Sequence, residues 1–305
     1  MSSACFRVWT GIVFLWSAVL LCAPAQSQSP GLPSADDSEP GLLSKRIAGE
    51  NAVSKASWVI LPYRPIYVLP LTYNGDINQK PIQEQGITSN NLKDVELKFQ
   101  ISFMLPVWED AFGGFGDLYF AYSQISIWQA YDFEDSAPFR DTNYEPEFFL
   151  RKETDYHLLG LRGRMIYLGA VHQSNGRGSD VLSRSWNRLY ANFFFERDRF
   201  ACSVKPWWRI PENEDDDNNP DIEDYLGYGE FRAAYKWRTQ ECALMLRNNM
   251  KADENRSTVQ LDWTFPLTKK IKGYVQVFDG YGEVLLDYDH HDRRIGVGFL
   301  LNEWL

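Results

Sequence analysis

Residues 172–188 (His-Gln-Ser-Asn-Gly-Arg-Gly-Ser-Asp-Val-Leu-Ser-Arg-Ser-Trp-Asn-Arg) hold the densest set of side chains able to act together chemically. In an extended strand residues i and i+2 share a face, which places the Cα atoms of His172 and Ser174 roughly 6–7 Å apart on one side. A serine hydroxyl beside an imidazole is a base-activated nucleophile, the apparatus of acyl transfer. Asn187 lies beyond a polar, glycine-containing loop. If that segment returns antiparallel with Ser174 facing Ser185, then His172 faces Asn187 and the turn falls near Ser179. A neutral carboxamide there fixes the tautomer and orientation of the imidazole, the part of a triad's third role that needs no charge. Alone, a His-X-Ser is a common and weak pattern, and polar residues at strand tips more often simply solvate a loop.

The elements that must position these residues are strands. From Val95 to Val107 the apolar residues Val95, Leu97, Phe99, Ile101, Phe103, Leu105 and Val107 alternate with mainly polar ones, a period of two. Leu118, Phe120 and Tyr122 repeat the pattern, as do Val259, Leu261, Trp263 and Phe265, and finally Ile295, Val297, Phe299 and Leu301 on a strand running to the end of the chain at Leu305. Helix signals are nearly absent. Aromatic residues make up 15% of the chain, and Trp108, Trp128, Trp207, Trp208, Trp237 and Trp304 sit at strand ends, as an interfacial girdle requires.

Residues 1–25 read as a secretory signal: one charge at Arg7, an apolar run from Ile12 to Leu21, and a small-residue cleavage site at Ala23-Pro24-Ala25. Cys22 follows two leucines, which argues against a lipoprotein signal. Removing this segment takes the formal charge from −10 to −11, which argues against nucleic acid as a partner and suits loops that collect divalent cations. Cys202 and Cys242 then remain, and both read as apolar fillers of strands rather than a disulfide. Residues 26–57, rich in Ser, Pro, Gly and Asp, read as a flexible lead-in. Residues 58–93 begin with an apolar stretch broken by Pro62, Pro65 and Pro70, read as an extended segment packed against the barrel and not as one of its central strands.

The expected fold is all-β, an antiparallel transmembrane β-barrel of outer-membrane type over residues 94–305. At roughly 17–18 residues per strand and connection, about twelve strands fit, an even number as bacterial barrels have. The faces then matter. Asn187 shares its side with Leu189, Ala191, Phe193 and Phe195, and His172 shares its side with Ile166, Leu168 and Ala170. If that apolar side faces lipid, the reactive groups sit outside the barrel, where a lipid substrate meets them without entering a lumen. Gln124 lies on the apolar face of Leu118, Phe120 and Tyr122, where an unpaired amide is costly. A twofold partner presenting its own Gln124 would satisfy it, which marks Gln124 as a dimer-interface residue.

Taken whole, the block from His172 to Tyr190 resembles the outer-membrane phospholipase A family, whose core reads His-X-Ser-Asn-Gly-Arg, a short acidic loop, then Ser-Arg-Ser-Trp-Asn-Arg-Leu-Tyr. Residues 136–146 (Ser-Ala-Pro-Phe-Arg-Asp-Thr-Asn-Tyr-Glu-Pro), 219–222 (Asn-Pro-Asp-Ile) and 280–283 (Gly-Tyr-Gly-Glu) are similar to further family stretches in the same order. The resemblance covers about residues 60–305. It implies a calcium-dependent hydrolase of the sn-1 and sn-2 acyl esters of phospholipids and lysophospholipids in the Gram-negative outer membrane. Ser174 is then the nucleophile, His172 the general base, Asn187 the orienting residue and the Gly176 amide an oxyanion donor. It further implies Ca²⁺ held by the Arg177 carbonyl and the Ser183 hydroxyl, with Ser136 matching a serine that the second subunit of the homodimer contributes. The loop carries one residue more than the family pattern, near Gly178. Where that family has a calcium-linked aspartate this chain has Asn218, so the adjacent Asp217 is the expected ligand. The rival readings are a non-enzymatic pore or structural barrel, separable by conductance without hydrolysis, and a soluble periplasmic ester hydrolase, separable by fractionation.

Overall fold

A computed structural model describes residues 40–54, 59–81, 92–134, 137–178, 181–269 and 271–304. The alternation seen in the sequence becomes twelve antiparallel strands: β1 (Ile66–Asn74), β2 (Val95–Asp110), β3 (Gly116–Trp128), β4 (Phe139–Leu158), β5 (Leu161–Ser174), β6 (Ser185–Arg197), β7 (Phe200–Ile210), β8 (Gly229–Trp237), β9 (Gln240–Asn248), β10 (Ser257–Pro266), β11 (Lys272–Tyr281) and β12 (His291–Asn302). Each pairs with its neighbours in sequence, and β12 pairs back onto β1, closing the sheet into a barrel without free edges. The residues 58–93 therefore do not merely associate with the barrel, because Ile66–Asn74 is one of its staves. Pro70 is accommodated there because the register of β1 shifts against both neighbours, between Leu69 and Thr72 on one side and between Val297 and Phe299 on the other. Such a bulge is where a strand tolerates a residue without an N–H.

Two-residue turns at 159–160, 198–199 and 238–239 close one end, with Leu159, Gly160, Asp198 and Arg238 at positive φ as tight hairpins demand. The opposite end carries the longer connections, the arrangement of short periplasmic turns and long outer loops. The outer surface is apolar: Ile101, Leu168, Leu189, Ile295, Val297, Phe299 and Leu301 are all exposed. The polar members of the same strands turn inward, so Glu96, Lys98, Gln100 and Ser102 of β2 are buried.

The interior is filled, not open. Lys98 Nζ meets Gln276 at 2.6 Å and Glu283 at 2.8 Å, Arg294 bridges Glu283 and Glu96 at 2.7 Å each, and Arg140 pairs with Glu96 at 2.8 Å and with Asp287. Lower in the barrel Arg64 spans Glu145 and Glu147. Trp186, Tyr167 and Phe149 pack alongside these ion pairs with almost no exposure. Trp207 and Trp304 also lie inside, so the girdle is narrower than the sequence suggests, with Trp108, Trp208 and Trp263 on the outer surface.

Within the stretch read as a flexible lead-in, Leu42–Ser54 is a helix, α1. Leu43 and Ile47, one turn apart, bury against the barrel, while Ser44 N donates to Glu196 at 3.0 Å and Arg151 reaches Glu50 at 2.6 Å. Arg46 also donates to the Trp304 carbonyl. Sequence periodicity missed this helix because its anchors are ion pairs with distant strands. The signal-like segment 1–25 and residues 26–39 and 55–57 lie outside the described residues. Cys202 and Cys242 stand on β7 and β9, with β8 between them.

Candidate active site

β5 and β6 pair in the register the sequence implies: His172 opposite Asn187, Gln173 opposite Trp186, Ser174 opposite Ser185. His172 and Ser174 point outward beside exposed Leu168 and Leu189, at the long-loop end of the barrel. Asn187 Oδ1 lies 2.9 Å from His172 Nδ1. An amide oxygen only accepts, so Nδ1 carries the proton and the lone pair falls on Nε2, free to act as a base. Ser174 shares the outward face one pleat away, with no hydrogen bond to His172 among the described residues. Nucleophile–base contacts of this kind often tighten only when substrate binds.

The residues between these groups point inward and hold the strand tips. Gln173 Oε1 accepts from Trp186 Nε1 at 2.8 Å and from Arg188 at 2.9 Å. Arg188 in turn lies over the Trp186 ring, 3.9 Å from its centroid. Asn175, buried, clips the following loop: its Nδ2 donates to the Leu182 carbonyl at 2.8 Å and its Oδ1 accepts from Arg184 N at 3.0 Å. Gly176 sits at φ +67°, and a Cβ there would come within 2.6 Å of the Tyr144 ring, so both backbone and space favour glycine.

Two expected metal ligands converge in that loop. Ser183 Oγ donates to the Arg177 carbonyl at 3.1 Å, bringing two hard oxygens together as a calcium site uses them. Among the described residues no three His, Cys, Asp or Glu side chains cluster as a metal site, so a cation here would rest largely on carbonyl and hydroxyl oxygens. Ser136 lies outside the described residues. Asp217, a further expected ligand, has its Oδ1 occupied: it accepts from Arg209 at 2.7 Å and from Asn219 N at 3.1 Å. The neighbouring Asn218 is the residue that approaches Ser183 Oγ, at 3.5 Å. Asp217 also forms an ion pair with Arg209.

That loop is pinned at several points. Asn219 Oδ1 accepts from Ser185 N at 3.0 Å, Arg209 donates to the Pro220 carbonyl, and Tyr288 donates to Asp221 at 2.6 Å. Burial and the Asp221 carboxylate hold the Tyr288 phenol well above its ordinary range. The motif residues Asp141 and Asn143 accept from Leu286 N and Leu285 N, tying the segment before β12 over the barrel interior. These supports escaped the sequence reading because each joins residues far apart in the chain. Gln124 faces outward, but Tyr122 donates to its Oε1 at 2.8 Å and its Nε2 donates to Ser126 at 3.1 Å. Its amide is therefore not an orphan within one chain. One lone pair and one N–H stay available for a partner.

A model of the family described as phospholipase A1 matches residues 43–301. A phospholipase A1 of Klebsiella pneumoniae is 38% identical over 246 residues, covering 81% of this chain and 83% of that one. Among solved structures, an active-site asparagine-to-alanine mutant of outer membrane phospholipase A from Escherichia coli superposes with a TM-score of 0.76 at 34% identity, over 82% of this chain and 95% of that one. A Salmonella typhi outer membrane phospholipase, a dimer with bound calcium, gives a TM-score of 0.76 at 35% identity, over 84% and 97%.

Proposed function

The chain belongs to the phospholipase A1 family, and from that premise we propose that it is a calcium-dependent outer-membrane hydrolase of phospholipid and lysophospholipid acyl esters at sn-1 and sn-2. Ser174 Oγ attacks the ester carbonyl carbon while its proton passes to His172 Nε2. The tetrahedral adduct collapses, the acyl C–O bond breaks, and the departing alkoxide takes that proton from the imidazolium. The acyl-serine is then cleaved by water, deprotonated by the same nitrogen, to release the fatty acid and regenerate Ser174. Asn187 keeps the imidazole in the tautomer this requires. The amide of Gly176 is the oxyanion donor.

The Arg177 carbonyl and Ser183 hydroxyl would hold Ca²⁺, together with Ser136 of the partner subunit. When bound, the cation supplies positive charge for the developing oxyanion. Activation by dimerisation follows from that shared ligand, with Gln124 at the contact. The relative from Salmonella typhi, a calcium-bound dimer, supports this reading.

The observation that carries the proposal is the 2.9 Å contact between His172 and Asn187 on the lipid-facing surface. A conducting pore would leave its lumen side chains in water, whereas here Lys98, Trp186 and Tyr167 are packed. The test is acyl-ester hydrolysis by the purified protein in detergent, with and without Ca²⁺. Ser174→Ala and His172→Ala are expected to lose at least ~10³-fold in kcat while folding normally. Full activity of Ser174→Ala ends the assignment.

A further inference from the structure

The carboxamide of Asn187 is held from its other side as well. Its Nδ2 donates to Glu212 Oε1 at 2.9 Å, so imidazole, amide and carboxylate form one continuous chain on the outer surface. The strand geometry explains the placement. β7 ends at Ile210, the register partner of Asn187, and its outward residues are Val204, Pro206, Trp208 and Ile210. Carried two residues further, that alternation brings Glu212 to the same side as Asn187. Among the described residues Asn187 is the only hydrogen-bond partner of the Glu212 side chain.

An asparagine in this position has two nearly isosteric ends. With Nδ2 turned to the imidazole, Nδ1 would have to accept, the proton would move to Nε2, and the base would be lost. Nothing in the imidazole itself decides between these arrangements. A carboxylate only accepts, so Glu212 draws Nδ2 toward itself and leaves Oδ1 for His172. Its charge also polarises the amide in the sense that strengthens the Oδ1 acceptor.

We propose that Glu212 is a positioning residue of the hydrolytic site, fixing the amide orientation of Asn187 and thereby the tautomer of His172. This rests on the reading of Ser174, His172 and Asn187 as the reacting group. Glu212 touches neither substrate nor the reacting atoms; it acts through Asn187.

The experiment measures hydrolysis of a short-chain phosphatidylcholine in mixed micelles by the full-length protein at saturating Ca²⁺. Glu212→Ala is expected to lower kcat by about tenfold with KM within about twofold, as loss of orientation and not of binding. Glu212→Gln keeps an acceptor but no longer dictates which end of Asn187 faces it. It should recover only part of that loss and, being isosteric, covers the case in which the alanine variant folds poorly. In an Asn187→Ala background, Glu212→Ala should have no further effect, because the residue it positions is gone. Three results would overturn the proposal: a kcat of Glu212→Ala within twofold of the parent, an equal loss in the Asn187→Ala background, or a loss reversed by tenfold more Ca²⁺, which would place Glu212 at the cation. Ser174→Ala run alongside separates the two levels. If it stays active the hydrolytic reading fails, and if it is inactive while Glu212→Ala is unaffected only the role of Glu212 fails.

Discussion

Gln173 points into the barrel between two outward residues, His172 and Ser174, and its Oε1 accepts from Trp186 Nε1 at 2.8 Å. The face carrying His172 and Ser174 is thus held from behind by an interior contact. Arg188 donates to the same oxygen at 2.9 Å. Gln173→Ala would strand both donors in a buried place, at a cost of about 1–3 kcal/mol. The expected result is a lower heat-modifiable unfolding midpoint and a several-fold lower kcat. Gln173→Glu keeps the acceptor and should approach the parent in both measurements.

Gly176 meets two constraints that disfavour a side chain, φ of +67° and a Tyr144 ring 2.6 Å from any added Cβ. Gly176→Ala should therefore lower kcat by about tenfold or more by displacing the amide proposed as oxyanion donor, with barrel folding intact. Removing the ring in Gly176→Ala/Tyr144→Ala relieves the clash but not the backbone strain, so recovery should be partial. Steady-state kinetics on the two variants decide this, and full recovery would show that φ carries no weight here.

Much of this was legible in the sequence because strand period and hairpin register are local properties. The pairing of His172 with Asn187 followed from counting outward from a turn near Ser179, and the lipid-facing side followed from Leu168 and Leu189. What stayed hidden was set by contacts between distant residues. Helix α1 owes its place to Glu196, Arg151 and Trp304, none of them near it in sequence. β1 looked too rich in proline for a central strand until its bulge at Pro70 was seen. Nothing local in the sequence shows the ion pair of Asp217 with Arg209, eight residues away on the preceding strand.

The loop oxygens predict a metal requirement with a specific hierarchy. EDTA should suppress hydrolysis and excess Ca²⁺ restore it. Ser183→Ala, losing the hydroxyl that meets the Arg177 carbonyl, should raise the Ca²⁺ concentration for half-maximal activity by about tenfold or more. Asp217→Asn keeps an oxygen for Arg209 and should shift that concentration by less than about twofold. Calcium titrations of the two variants are the measurement, and a shift for Asp217→Asn as large as that for Ser183→Ala would put its carboxylate at the cation.

The outward placement of His172 and Ser174 makes a demand on the rest of the barrel surface. Val297 is 44% exposed and stands across the sheet from Leu71 on β1 and Val275 on β11, inside an apolar band with Ile295 and Phe299. If that band contacts lipid, Val297→Arg places a cation in hydrocarbon at a cost of about 2–4 kcal/mol near the bilayer midplane. Detergent solvates the same arginine more readily, so the variant should fold nearly normally in micelles while the folded fraction in vesicles falls. Heat-modifiable mobility after refolding in each medium measures both fractions. Equal folding in the two media would mean that this face meets water. His172 and Asn187, on the same outer surface, would then have no lateral access to a membrane lipid.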